Sequence, residues 1–210
     1  MLQTVNELLR VGSANVSDAL RACGKHFQAM DGGIRPLSTS MRVAGPAFTV
    51  RCYPGATYAI EQALELARPG DVLVVDGGGY PDVILMGALM STRCQERRIA
   101  GAILDAAVRD VEDVIAMGFP MFSRHICPQA GTFAEIGETQ TIICCGRIPV
   151  RPGDWVIADA SGIAVIPAEM LEQVLEKAQA INFRETRIEG FLRQGKTLNE
   201  SAAAAANGQK

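Results

Sequence analysis

The segment Arg109-Asp110-Val111-Glu112-Asp113 puts one guanidinium and three carboxylates within five consecutive positions. It follows the largely apolar run Ile103-Leu104-Asp105-Ala106-Ala107-Val108, which reads as a buried strand. An unpaired charge at the edge of a core is costly, so the Arg109-Asp110 pair needs a reason to be there. A guanidinium fork grips a carboxylate through two parallel hydrogen bonds. A carboxylate holds a hard divalent cation whose other positions take water and substrate oxygens, as magnesium and manganese prefer. The pair therefore suits a small acid bound beside a metal ion. It equally suits a surface salt bridge at a loop.

A second anion-binding feature is Leu85-Met86-Gly87-Ala88-Leu89-Met90-Ser91, which reads as the start of a helix with glycine at its first turn. Exposed amides at a helix N-terminus attract anions. If Arg109 faces the same spot, backbone donors and the guanidinium share one carboxylate. Gly77-Gly78-Gly79 has neither a G-x-G-x-x-G pattern nor a phosphate-binding lysine, so it reads as a turn allowing close backbone approach. Six cysteines with no C-x-x-C pair, and only His26 and His125 beside them, give poor zinc spacing. They read as buried free thiols. His125 and Trp155 read as packing or surface residues, and Glu135, Glu138 and Asp159 as solvated loop charges.

Positioning these groups requires strands and helices in alternation. The helical spacing of residues 1–10 is followed by a short helix through Val16–Arg21, capped by Ser13 or Asn15. Strands are expected over 44–52, 71–76, 100–107 and 120–123, with helices over 58–67, 87–97 and 111–117 between them. Residues 141–167 hold three β-like runs, and a long amphipathic helix covers 168–195. The small, Ala-rich tail 201–210 is expected to fray. This order implies a single α/β domain over residues 1–200, with ligands gathering beyond the carboxyl ends of its parallel strands.

With 210 residues the chain can bury a full core. A net charge of −3 gives no electrostatic footprint for nucleic acid. There is no apolar run of membrane-spanning length and no signal-like N-terminus, which leads to an expectation of a cytoplasmic protein that binds neither nucleic acid nor membrane.

Val16-Ser17-Asp18-Ala19-Leu20, Gly45-Pro46-Ala47, Gly70-Asp71-Val72-Leu73-Val74-Val75-Asp76, Gly87, Gly101 and Val108-Arg109-Asp110 resemble, in order and spacing, the RraA-like family. That family includes regulators of ribonuclease activity and class II 4-hydroxy-4-methyl-2-oxoglutarate (4-carboxy-4-hydroxy-2-oxoadipate) aldolases. The resemblance implies a swivelling β/β/α domain assembled as a homotrimer or homohexamer, with sites between subunits. It implies that Arg109 binds a pyruvoyl carboxylate, that Asp110 ligates Mg²⁺ or Mn²⁺, and that Gly87, Ala88, Leu89 and Met90 supply the rest of the carboxylate site. Asp18 matches an acidic position given by an adjacent subunit, and Glu185 matches another at the metal. Asp113 matches the aldolase branch, where a carboxylate organises waters; the ribonuclease regulators tend to carry glycine there.

One position departs from the aldolase pattern. Where those enzymes carry Asp or Glu after the loop glycine, this chain has Ala88. A methyl group exchanges no proton, and general acid–base help is worth about a hundred- to ten-thousandfold in rate. Asp76, His125 and Glu96 are candidate substitutes. The resemblance thus implies a metal-dependent lyase releasing pyruvate from a 2-oxo acid, with oxaloacetate decarboxylation less damaged by Ala88 than aldol cleavage. The rival expectation is a non-catalytic, protein-binding regulator like the ribonuclease inhibitors.

Overall fold

Continuous apolar runs in this chain become strands covered on both faces, and runs of helical period become the covering. The computed structural model describes residues 1–206. Its first half contains α1 (Leu2–Ala22), β1 (Arg35–Pro36), β2 (Val43–Arg51), α2 (Tyr58–Leu66), β3 (Val72–Asp76) and β4 (Ile84–Met86). Then come α3 (Ala88–Glu96), β5 (Gly101–Val108), α4 (Val111–Ala116) and β6 (Met121–Ile126). The last part holds β7 (Glu138–Thr139), β8 (Ile143–Cys145), β9 (Ile148–Val150), β10 (Trp155–Asp159) and β11 (Gly162–Ile166). A single 3-10 turn (Ala168–Met170) leads into α5 (Leu171–Arg193), and α6 (Leu198–Ala206) follows.

The main sheet runs β1-β6-β5-β3-β2-β10-β11, with β4 also on β5 and β7 also on β2. β2, β3, β5 and β6 are parallel neighbours, as the strand–helix–strand order implies. β10 and β11 return antiparallel beside β2. The 141–167 stretch therefore holds four strands where three runs were expected. β8 and β9 pair as a separate hairpin, and β10 and β11 extend the main sheet.

One core packs around β2, β3, β5 and β6, with Val50, Val74, Ile103 and Phe122 at its centre. A second gathers Leu8, Val16 and Leu20 of α1, Ile157 and Ile166 of β10 and β11, and Val174 of α5. Each such fully buried side chain contributes about 1.5–3 kcal/mol relative to exposure. All eight residues of β5 are buried, so the strand that ends at Arg109 is anchored along its length.

Two expectations about the chain ends are corrected. α1 is one helical run bent at Gly12 (φ 81°, ψ 165°), and neither Ser13 nor Asn15 caps its second half. The cap is Asp159 of β10, which accepts the Ser13 N–H at 2.8 Å and the Ser13 hydroxyl at 2.7 Å. Asn15 donates to Val11 O instead, at 3.1 Å. Asp159 is thus no solvated loop charge. Burial pushes its carboxyl up, but the Ser13 bonds and the Ser161 amide outweigh that and hold it below the usual range. At the other end, residues 198–206 form α6, which buries Ser201 and Ala205 and packs on α5. Alanine is the best helix former, so the run needed only a surface to lie on. The remainder of the expected tail, 207–210, lies outside the described residues.

Candidate active site

β5 ends where its last residues leave the sheet beside β4. The Arg109 N–H donates to Met86 O (3.2 Å), so the arginine is tied to the residue just before Gly87. Asp110 then adopts the left-handed conformation (φ 57°, ψ 40°) at the start of α4, one of few backbone states aspartate tolerates better than most residues. That turn brings its carboxylate back to the N-terminus of α3, where Oδ2 accepts the Ala88 N–H at 3.0 Å. The positive end of the α3 dipole favours the carboxylate there. Oδ1 has no donor among the described residues and is open to another partner.

Arg109 is poised rather than satisfied. Its Nε lies 3.5 Å from Asp110 Oδ2, close enough for charge attraction, yet it is buried without a hydrogen-bond acceptor among the described residues. A buried donor without a partner is rare and calls for an explanation; an incoming anion supplies one. The amides of Leu89 and Met90 precede the first intrahelical bond of α3, made by the Ser91 N–H to Gly87 O at 3.1 Å. They too remain available. Leu89 is 84 % exposed, whereas Met90 packs against the main core.

Gly87 permits this arrangement. A side-chain carbon there would lie 2.6 Å from Asp110 Oδ2 and 3.1 Å from Arg109 Cγ. Any other residue would force the pair away from the helix.

A cavity of about 550 Å³ opens beside the pair. Arg109, Asp110, Glu112 and Asp113 form one wall, and Ile126 at the end of β6 with Cys127 and Pro128 just past it form the other. The structure therefore brings Arg109, Asp110 and Asp113 into one place, with Gly87 and Ala88 in contact with Asp110. It does not bring Asp18 and Glu185 there within one chain. Those two share a different cavity between α1 and α5, with Arg21 and Arg184. Glu185 is consequently no neighbour of Asp110 in the single chain.

None of the three candidate substitutes for the missing acid lines the Arg109 cavity. Both Asp76 oxygens are occupied by backbone amides, Gly78 at 3.1 Å and Cys144 at 3.2 Å. Glu96 pairs with Arg93 at 3.2 Å on the exposed side of α3. His125 lies on β6, one residue short of the cavity wall. The ionisable groups that do line it beside the Arg-Asp pair are Glu112, Asp113 and Cys127.

The cysteines are all unpaired, as expected, but not all buried. Burial pushes the thiols of Cys52 and Cys94 up to about 12, which makes them inert. Cys144 is exposed and Cys127 half-buried at the cavity. The triple glycine is the close-approach turn foreseen for it.

Sequence reasoning missed one polar cluster. Asp105, only 7 % exposed inside β5, accepts a hydrogen bond from Arg124 Nε at Oδ1 and from the Gly146 N–H at Oδ2 (2.8 Å). The other two nitrogens of Arg124 fork onto Asp31 at 2.9 and 2.7 Å. That fork holds the Asp31 carboxyl down at about 2, and the two carboxylates push Arg124 further up. The available signal was a lone aspartate in an otherwise apolar strand, which must be paired to be buried.

Comparison with known proteins defines the family and the fold. The sequence matches the RraA-like family (Aldolase/RraA) over residues 13–165, and the chain belongs to that family. It is 34 % identical over 175 residues to a protein of Halalkalibacterium halodurans provisionally named 4-hydroxy-4-methyl-2-oxoglutarate aldolase, covering 83 % of this chain and 81 % of that one. Among solved structures, an uncharacterised protein of Pseudomonas syringae pv. tomato superposes with a TM-score of 0.89 at 27 % identity, covering 97 % of this chain and 94 % of that one. A Streptomyces coelicolor protein described as an unusual member of the RNase ES inhibitor RraA protein family superposes at 0.78 with 26 % identity, covering 92 % and 98 %. The α/β fold expected from the sequence is thus the RraA-like fold.

Proposed function

We propose that this chain is a divalent-metal-dependent carbon–carbon lyase that releases pyruvate from a small 2-oxo acid. The observation that carries the reading is the convergence of unspent groups at the N-terminus of α3. The buried Arg109 Nε lacks an acceptor, Leu89 and Met90 offer amides, and Asp110 keeps one oxygen open. Donors for a carboxylate and an acceptor for a cation lie side by side.

Among the described residues no three His, Cys, Asp or Glu side chains cluster into a protein cage for a metal. The donor set instead is one anchored carboxylate with two more, Glu112 and Asp113, along the same cavity. That all-oxygen, ligand-poor set fits Mg²⁺ or Mn²⁺, which keep several waters, and not zinc. Asp110 would hold the ion, and Asp113 would accept hydrogen bonds from waters around it. When bound, such an ion supplies Lewis-acid stabilisation of negative charge developing on the 2-oxo acid.

The chain's own residues would act as follows. Arg109 clamps the substrate carboxylate with its guanidinium, assisted by the α3 amides. Asp110, pinned by the Ala88 N–H, keeps its free oxygen facing the same substrate. Aldol cleavage needs a base for the 4-hydroxyl proton, and the Ala88 methyl is none. Decarboxylation of oxaloacetate needs no such base: its C3–C4 bond breaks as CO2 leaves, giving the pyruvate enolate that aldol cleavage would also give. Protonation of that enolate would draw on Glu112 or Cys127, two ionisable groups of the cavity wall. The favoured chemistry is therefore decarboxylation, or cleavage of a substrate whose leaving portion brings its own base. A homotrimer or homohexamer would let Asp18 and Glu185 of one copy complete the cavity of another.

A coupled lactate dehydrogenase assay tests this. Oxaloacetate should yield pyruvate with Mg²⁺ or Mn²⁺, and EDTA should abolish the yield. Ala88 and the likeness to the RNase-inhibitor structure favour a second reading, a protein-binding regulator without catalysis. Absence of turnover with either metal would support that one instead.

A further inference from the structure

β5 changes partners partway along its length. Up to Asp105 it lies beside β3, with Asp76 opposite Asp105. Beyond that point it lies beside β4, with Ile84 opposite Ala107 and Met86 opposite Val108. At the same place its register with β6 slips. Leu104 faces Ser123 and Ala107 faces His125, so three steps along β5 match two along β6. One extra residue in a strand is a β-bulge, which bends the strand and redirects the side chains that follow. Arg109 and Asp110 are what follow.

The bulge is held from several sides. The Asp105 carbonyl accepts the Gly79 N–H at 2.8 Å. Gly77 closes over it so tightly that a side-chain carbon would lie 2.8 Å from Ala106 Cβ and 2.7 Å from Leu85 Cδ1. Arg124, the β6 residue opposite the extra one, reaches across to the Asp105 carboxylate and forks onto Asp31. Asp105 in turn takes the Gly146 amide. A guanidinium that satisfies two carboxylates from opposite edges leaves neither free to relax.

We infer that Arg124 is a positioning residue: by clamping Asp105 at the bulge where β5 passes from β3 to β4, it sets the direction in which Arg109 and Asp110 leave the strand toward Gly87 and Ala88. This rests on the reading of Arg109 and Asp110 as the carboxylate- and cation-holding pair. Lysine cannot replace Arg124, because an ammonium has no planar fork to hold Asp31 while bonding Asp105.

The test uses the full chain carrying Arg124→Lys, with thermal melting to confirm folding. Amide exchange is read at Arg109 and Ala88, whose N–H groups donate to Met86 O and Asp110 Oδ2, and at Val74 and Ile103 as buried controls. Exchange at Arg109 and Ala88 should accelerate about tenfold or more, a usual size for losing a supporting contact around a site, with the controls unchanged. The affinity for oxalate, a rigid dicarboxylate probe, should fall by a similar factor. KM for oxaloacetate should rise while kcat changes less, since what is lost is seating of the substrate carboxylate. A folded variant in which only the Gly33 and Gly146 amides loosen, with Arg109 and Ala88 unchanged, overturns the inference. Should Arg124→Lys fail to fold, Asp31→Asn removes one arm of the clamp and is judged by the same amides. A native protein that binds no oxalate would sink the 2-oxo-acid reading, and the exchange data would still decide the role of Arg124.

Discussion

Gly87 and Asp110 are fitted to one another: the aspartate Oδ2 occupies the space where any side chain at position 87 would begin, 2.6 Å from the Cβ site. The same oxygen is held by the Ala88 N–H at 3.0 Å. Gly87→Ala should therefore displace the carboxylate without unfolding the protein, because an alanine at this helix boundary is otherwise tolerable. We expect Mn²⁺ binding, followed by titration with a paramagnetic readout, to weaken about ten- to a hundredfold. Unchanged Mn²⁺ affinity would show that Asp110 is not the cation's anchor.

Restoring the acid at position 88 tests the chemistry. Ala88→Asp places a carboxyl in the first turn of α3, where the helix dipole favours it. The ratio of 4-hydroxy-4-methyl-2-oxoglutarate cleavage to oxaloacetate decarboxylation should rise about a hundredfold or more, the usual worth of a general acid–base group. Pyruvate release from each substrate gives the ratio directly. A ratio that stays level would count against Ala88 as the reason decarboxylation is favoured.

Arg109→Lys separates charge from shape. An ammonium keeps the positive charge but loses the fork that grips a carboxylate. KM for a 2-oxo acid should rise by about tenfold or more, in line with a lost charged hydrogen bond, and thermal stability should hold. Steady-state kinetics against a melting curve decides the matter.

The Asp31–Arg124 fork predicts a particular acid limb. With the Asp31 carboxyl held at about 2 against an ordinary 3.8, its contribution to stability is complete above 3.8 and is lost as pH falls through about 2. Asp31→Asn should be less stable than the native chain near neutrality. The gap should narrow between pH 3.8 and about 2. Melting curves across that range measure it, and a gap that widens toward low pH would contradict the pairing.

Ser201 offers a stabilising change. Its hydroxyl is fully buried in α6 and has no hydrogen-bond partner among the described residues. Ser201→Ala removes that cost and raises helix propensity, so urea unfolding should show a gain of about 1 kcal/mol. A loss instead would reveal a partner for the hydroxyl in the assembled protein.

How far the sequence spoke for itself differs from residue to residue. Arg109 and Asp110 were legible because an apolar strand that ends in charges contradicts the usual chemistry of a strand end. Their meeting with Ala88 was legible only as a condition and through the family resemblance, since it depends on β4, whose three residues are too few to show a period. Residues 85 and 86 looked like the start of the following helix for that reason. Asp159 was misread because Ser13, the residue it caps, lies 146 residues earlier. α6 was misread because an alanine run becomes a helix or a frayed end depending on whether α5 offers it a surface. In each case the local pattern was sound, and a partner distant in sequence decided the outcome.

The left-handed backbone at Asp110 has a consequence for how this chain can change. Asparagine accepts that conformation as readily as aspartate, and its side-chain oxygen can still receive the Ala88 amide. Asp110→Asn thus preserves the backbone turn and the Ala88 contact while removing the negative charge that would attract a cation. At this position the scaffold and the proposed chemistry are separable by one atom, and a lineage could retire the second overnight yet keep the first for other work.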